Sequence, residues 1–154
     1  MQDKLLNSNE ENIFVASIDI GTNSTHLLIA QIDLSLKSFT IKFAEKSTTR
    51  LGERDEDGNL TQEAMNRVLK TLIRFKEYSD SYGVKKILTA ATSAVREAPN
   101  GRDLIARVKD EIGIQIELVS GSEEARLIYL GVLSGMALEE QNYIIIDIGG
   151  GSTE

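Results

Sequence analysis

Asp19 and Asp147 each close an apolar run, and each is followed by Ile-Gly. In the first copy the chain continues through Gly21 into Thr22, Asn23 and Ser24. In the second it continues through Gly149 into Gly150, Gly151, Ser152, Thr153 and Glu154. A carboxylate, a glycine that lets backbone approach closely, and small hydroxyls are what a Mg²⁺–phosphate unit needs. The carboxylate is a hard oxygen ligand, and the turn supplies N–H and O–H donors for the anion. One such loop is weak evidence, because Gly, Thr and Asn also serve hairpins for turn reasons alone. Two copies, 128 positions apart, suggest a pair facing each other across one phosphate site. Three glycines in a row cost about 0.5–1 kcal/mol each at a strand end, and stability alone does not explain them.

Further candidates follow two other apolar runs. VSGSEEAR at 119–126 opens a helix, with Ser120 and Glu123 at capping-box spacing. Glu123 is then expected to engage the backbone, leaving Glu124 to hold and deprotonate an attacking water. Both glutamates also suit the positive end of a helix, and spacing does not choose between these accounts. TSAVR at 92–96 starts a shorter helix whose N–H groups, Ser93 hydroxyl and Arg96 could bind phosphate, arginine in bidentate fashion, although Arg96 reads equally as a surface arginine. Lys46, Arg50 and Arg54 could add positive charge but read more simply as a solvated face. His26, among apolar strand residues, reads as a satisfied core histidine. Asp19, Asp147 and Glu154 are the candidate Mg²⁺ ligands.

Composition narrows the classes. The 154 residues are 41% apolar and 27% charged, enough for one domain with a core. A net charge of −7 argues against a broad nucleic-acid or anionic-membrane surface. With no cysteine, disulfides and thiolate zinc sites are excluded, and one histidine leaves little for a His-based metal site or Ser-His chemistry. No apolar run approaches 18 residues, and residues 1–12 lack a signal-peptide core, so the expected compartment is the cytoplasm.

The elements that must position these residues follow from periodicity. Residues 1–12 are expected to be a disordered head. Strands are expected over 14–20 and 25–32, joined by the 21–25 link. A half-buried strand over 38–46 carries Phe39, Ile41 and Phe43 on alternate positions. A charged loop spans 47–59. Thr61 caps a helix bearing Met65, Val68, Leu69, Leu72, Phe75 and Tyr82, and Gly83 stops it. A buried strand over 84–91 and a short helix at 92–98 come next, then a helix over 102–112 closed by Gly113. A strand over 114–119, a helix over 122–136 and a last strand over 143–148 complete the order. Three antiparallel strands followed by αβ units give an α/β fold, a mixed sheet with helices on both faces.

Five stretches in this order resemble the exopolyphosphatase/guanosine pentaphosphate phosphohydrolase family. They are IDIGTNS at 18–24, RLGE at 50–53, TAATSAVR at 89–96, GSEEARLI at 121–128 and IDIGGGSTE at 146–154. The resemblance implies an actin-like ATPase (ribonuclease-H-like) fold of two lobes with phosphate cleaved between them. Residues 13–142 would form the first lobe, and 143–154 would begin a truncated second one. It also implies Glu124 as general base, and Asp147 and Glu154 at the magnesium site. Gly21–Ser24, Gly149–Ser152 and Arg96 are implied as phosphate binders. Arg54 departs from the pattern, which has a glycine after RLGE.

The expected function is Mg²⁺-dependent hydrolysis of a phosphoanhydride. Orthophosphate would leave the end of polyphosphate or the 5′ end of guanosine pentaphosphate, in a protein that forms a homodimer at full length. This 154-residue piece alone is expected to be inactive. An actin-like ATPase or sugar-kinase-type phosphotransferase is the alternative within the fold. A non-catalytic module binding guanosine tetraphosphate is the alternative outside enzymology.

Overall fold

A computed structural model describes residues 13–136, 139 and 141–154. The expected head at 1–12 lies outside the described residues. Strands β1 (Ile13–Ile20), β2 (Ser24–Asp33), β3 (Ser38–Thr48), β4 (Lys86–Ala91) and β5 (Glu117–Leu118) form one sheet in the order β3-β2-β1-β4-β5. The first three pair antiparallel; β4 and β5 join in parallel. This is the mixed sheet expected. The register sets Asp19 opposite His26 on one side and Ala90 on the other, at the end of β1.

Alternation along β1 decides which face is core. Ala16, Ile18 and Ile20 are buried and Ser17 and Asp19 are exposed. The buried face meets α1 (Gln62–Ser81) and α3 (Gly101–Ile112), whose Val68, Leu72, Phe75, Leu104 and Val108 have no exposed surface. Each such side chain contributes on the order of 1.5–3 kcal/mol. The α1 apolar stripe follows the expected spacing. Its Thr61 cap accepts from Ala64 N at 3.2 Å, and Gly83 lies just beyond its end. The four-residue α2 (Ser93–Arg96) continues β4.

The other face is thinly covered. Its neighbours Ser17 and Leu88 are paired across β1 and β4, and Leu88 is 49% exposed. The expected buried strand over 84–91 is therefore shorter and half open. Among the described elements only α4 (Gly121–Gly135) approaches that face, with Arg126 and Leu127 across a cleft from Ser17 and Leu88, and none of its residues is buried. Helices thus stand on both faces, three on one and the start of one on the other. β3 is also less buried than expected. Phe43 packs with Tyr78 and Tyr82, but this aromatic cluster stops short of the exposed Phe39 and Ile41. β5 has two residues where six were expected, because Ile114 and Ile116 turn into the core instead of continuing the ladder.

The last expected strand is the main correction. Among the described residues, 143–148 find no ladder partner and form just the bridge Ile148–Thr153, and Ile144 is 89% exposed. A strand exists only where its backbone groups meet another strand. Here they meet just the segment's own return arm. No described helix is long and apolar enough to cross a membrane.

Candidate active site

The first loop is closed by Gly21 N donating to Ser24 O at 3.0 Å. The carbonyls of Thr22 and Asn23 are taken up by the 49–52 turn. Asn23 O accepts from Thr49 N and Arg50 N at 3.1 and 2.9 Å, and Thr22 O from Gly52 N at 2.9 Å. The second loop is closed by the same bond, Gly149 N to Ser152 O at 3.0 Å. The two loops meet. A side chain on Gly150 would lie 2.5 Å from Asn23 Nδ2, and one on Gly151 would lie 2.7 Å from Thr22 Oγ1 and 2.9 Å from Ser93 Oγ. A Cβ at either glycine would force the facing side chains of Asn23, Thr22 or Ser93 to move. Ser93 opens α2, is 2% exposed, and shares a 3.1 Å hydrogen bond with Thr22.

Between the loops lies a cleft of about 380 Å³, open to solvent, with Asp19, Asp147 and Glu124 in its walls. Glu124 comes from the first turn of α4, whose start is fixed by Ser120 Oγ accepting from Glu123 N at 3.2 Å. The capping box is only half formed. The Glu123 carboxylate takes two bonds from Arg126 at 2.7 and 2.8 Å instead of reaching back to the backbone. Glu124 is the more enclosed of the pair, its side chain 14% exposed. Burial pushes its carboxyl above the usual glutamate value, the Arg96 hydrogen bond opposes this, and the charges of Glu154 and Asp19 add to the rise. Asp19 is also raised, mainly by burial; His26 opposes and Asp147 reinforces the rise.

Arg96 is brought to the site but stands behind it. Its Nη1 donates to Val119 O at 2.8 Å and to Glu124 Oε2 at 3.2 Å, so it fixes the glutamate rather than lining the cleft. Glu154 likewise sits off the cleft, beside α4, with its backbone paired to Asp147. Among the described residues no three of His, Asp and Glu close around one point as a metal cage. The donors nevertheless suit Mg²⁺, which takes one or two carboxylates and keeps several waters. Asp19 and Asp147 repel each other across the cleft, and a divalent cation between them would remove that cost.

Two residues were misjudged from sequence. His26 is exposed, bonded through Nε2 to Ser24 Oγ at 2.8 Å, and lines the cleft; it is not a core histidine. Lys46, set aside as a solvated face, lines it too. The hairpin register would have found both. A turn centred on 22–23 pairs Asp19 with His26, and β3 then pairs His26 with Lys46, one row across the open face. Arg54, where a glycine was expected, donates from Nη2 to Ala94 O at 2.7 Å and anchors the 49–60 loop to α2.

The model of the Ppx/GppA phosphatase family matches residues 28–154. The chain belongs to that family. It is 38% identical over 159 residues to the bifunctional 3-dehydroquinate synthase/phosphatase of Fusobacterium nucleatum, covering 98% of this chain and 24% of that protein. It is 33% identical to exopolyphosphatase 1 of Mycobacterium tuberculosis, covering 89% of this chain and 40% of that one. The crystal structure of an exopolyphosphatase from Cytophaga hutchinsonii superposes with a TM-score of 0.85 at 38% identity, over 91% of this chain and 45% of that one. The Ppx/GppA family member of Aquifex aeolicus gives 0.81 at 34%, over 92% and 45%. The chain therefore spans less than half the length of these Ppx/GppA relatives, and the superpositions bear out the fold class.

Proposed function

We propose that the protein built on this chain hydrolyses phosphoanhydrides, releasing terminal orthophosphate from inorganic polyphosphate or the 5′-phosphate of guanosine pentaphosphate. The observation that carries this reading is the enclosed Glu124 facing two like-built glycine loops that meet over Thr22 and Ser93. The loop hydroxyls and N–H groups hold the terminal phosphate, with Lys46 and His26 adding donors at the cleft wall. Glu124 takes a proton from a water as its oxygen bonds to the terminal phosphorus. The bridging P–O bond breaks, its electrons stay with the shortened chain, and one orthophosphate leaves. Burial raises the basicity of Glu124, which suits a base, while Arg96 keeps its carboxylate oriented. Asp19 and Asp147 would hold Mg²⁺, with Glu154 acting from the outer side, and the cation would neutralise charge on the phosphoryl oxygens.

Orthophosphate release from linear polyphosphate and from guanosine pentaphosphate, side by side, tests this. Release from at least one substrate in Mg²⁺, abolished by a chelator, is the expected result. Transfer of phosphate to an acceptor, or turnover of ATP alone, would instead support a phosphotransferase or ATPase.

A further inference from the structure

Arg50 adopts φ 47, one of two non-glycine residues with positive φ among those described. The conformation is imposed from three sides. Arg50 N is bound to Asn23 O at 2.9 Å, Arg67 Nη2 donates to Arg50 O at 3.2 Å, and Arg67 Nε donates to Thr49 O at 2.8 Å. Glycine would take that shape without strain, and arginine takes it at a cost. The fold does not use what arginine adds. Its guanidinium has no hydrogen bond or ion pair among the described residues, and the nearby Glu53 is held by Arg67 at 2.6 Å.

The same residue borders a hollow of about 450 Å³ whose walls include Thr22, Asn23 and Gly150. Those three also line the cleft that holds Glu124. The tips of the two loops thus form one ridge with a hollow on each side, the catalytic carboxylate in one and an unpaired guanidinium in the other. A guanidinium offers two parallel donors to a phosphate group. We infer that Arg50 forms a second anion subsite, holding phosphate groups of a linear polyphosphate that run out of the Glu124 cleft and over the paired loop tips. The subsite rests on the polyphosphate reading proposed above, and it makes affinity grow with chain length.

Calorimetric titration of tripolyphosphate and of long-chain polyphosphate tests the inference, in a Glu124→Gln background so that the chain is not consumed. Arg50→Gln should weaken long-chain binding roughly tenfold or more, the worth of a charge-assisted pair, and leave tripolyphosphate within about twofold. Arg50→Lys should recover part of the loss. Arg50→Gly should bind like Arg50→Gln yet melt no lower than the parent, because glycine accepts the left-handed backbone. Long-chain affinity unchanged in Arg50→Gln, or an equal loss for tripolyphosphate, would overturn the subsite. Orthophosphate release by the unmutated protein judges the hydrolase reading separately. Its absence sinks that reading, while the affinity contrast alone decides Arg50.

Discussion

The loop after Asp19 and the loop after Asp147 share their first residues and their closing hydrogen bond, yet they stand on different foundations. The first caps two paired strands and is braced from below by the 49–52 turn. Ile20, one residue before its glycine, is fully buried. The second rests on a single bridge, and Ile148, the residue in the same position, is 78% exposed. What an Asp-Ile-Gly loop does chemically is written in four or five residues. What holds it in place is written elsewhere, and the two can be separated.

Paired truncations should expose that difference most strongly. Ile20→Ala should cost about 2–5 kcal/mol, because a buried side chain is lost and a cavity remains. Ile148→Ala should stay within about 0.5 kcal/mol. Denaturant unfolding monitored by circular dichroism measures both. A comparable loss at both positions would mean that the second loop is built into the same core as the first.

A narrower break targets the contact between the loops. Gly151→Ala places a methyl group against Thr22 and Ser93, and Gly150→Ala places one against Asn23. Either should push the loops apart and lower phosphate release by roughly tenfold to a hundredfold, the cost of about 1 Å of misplacement. The melting temperature should hardly move. Full activity in Gly151→Ala would show that the loops do not work as a pair.

The same division explains how much was readable in advance. The order of elements, the α1 stripe and the paired loops follow from local periodicity and turn chemistry, and they came through. The failures share one physical cause, which is that burial depends on what lies across from a strand. Leu88 reads as core because it is apolar, and it is half exposed because little covers its face. Glu124 was legible as a candidate, but its enclosure beside Arg96 depends on contacts between β5, α2 and α4. His26 and Lys46 were missed because each was weighed alone rather than along the register.

A smaller effect concerns acidity. Burial holds Glu124 above the usual 4.5, so the acid limb of kcat/KM should fall above pH 4.5. Arg96→Met removes the hydrogen bond that favours the carboxylate and should move that limb higher still. The stability sign follows from the same shift. A raised carboxyl contributes stability below its unfolded value, and that contribution is lost as pH rises through the folded value. Glu124→Gln should therefore melt slightly above the parent at pH 7, with the gain shrinking on acidification. A limb that moves down in Arg96→Met would contradict the pairing.

The most direct test of the account compares two neighbouring glutamates in steady-state orthophosphate release from polyphosphate, using the protein that carries this sequence. Glu124→Gln should lower kcat by at least about a hundredfold with KM close to the parent, as loss of a general base does. Glu123→Gln loses its pair with Arg126 on the exposed side of α4 and should leave kcat within about twofold, since surface ion pairs contribute little. Activity lost in Glu123→Gln and kept in Glu124→Gln would contradict the assignment outright.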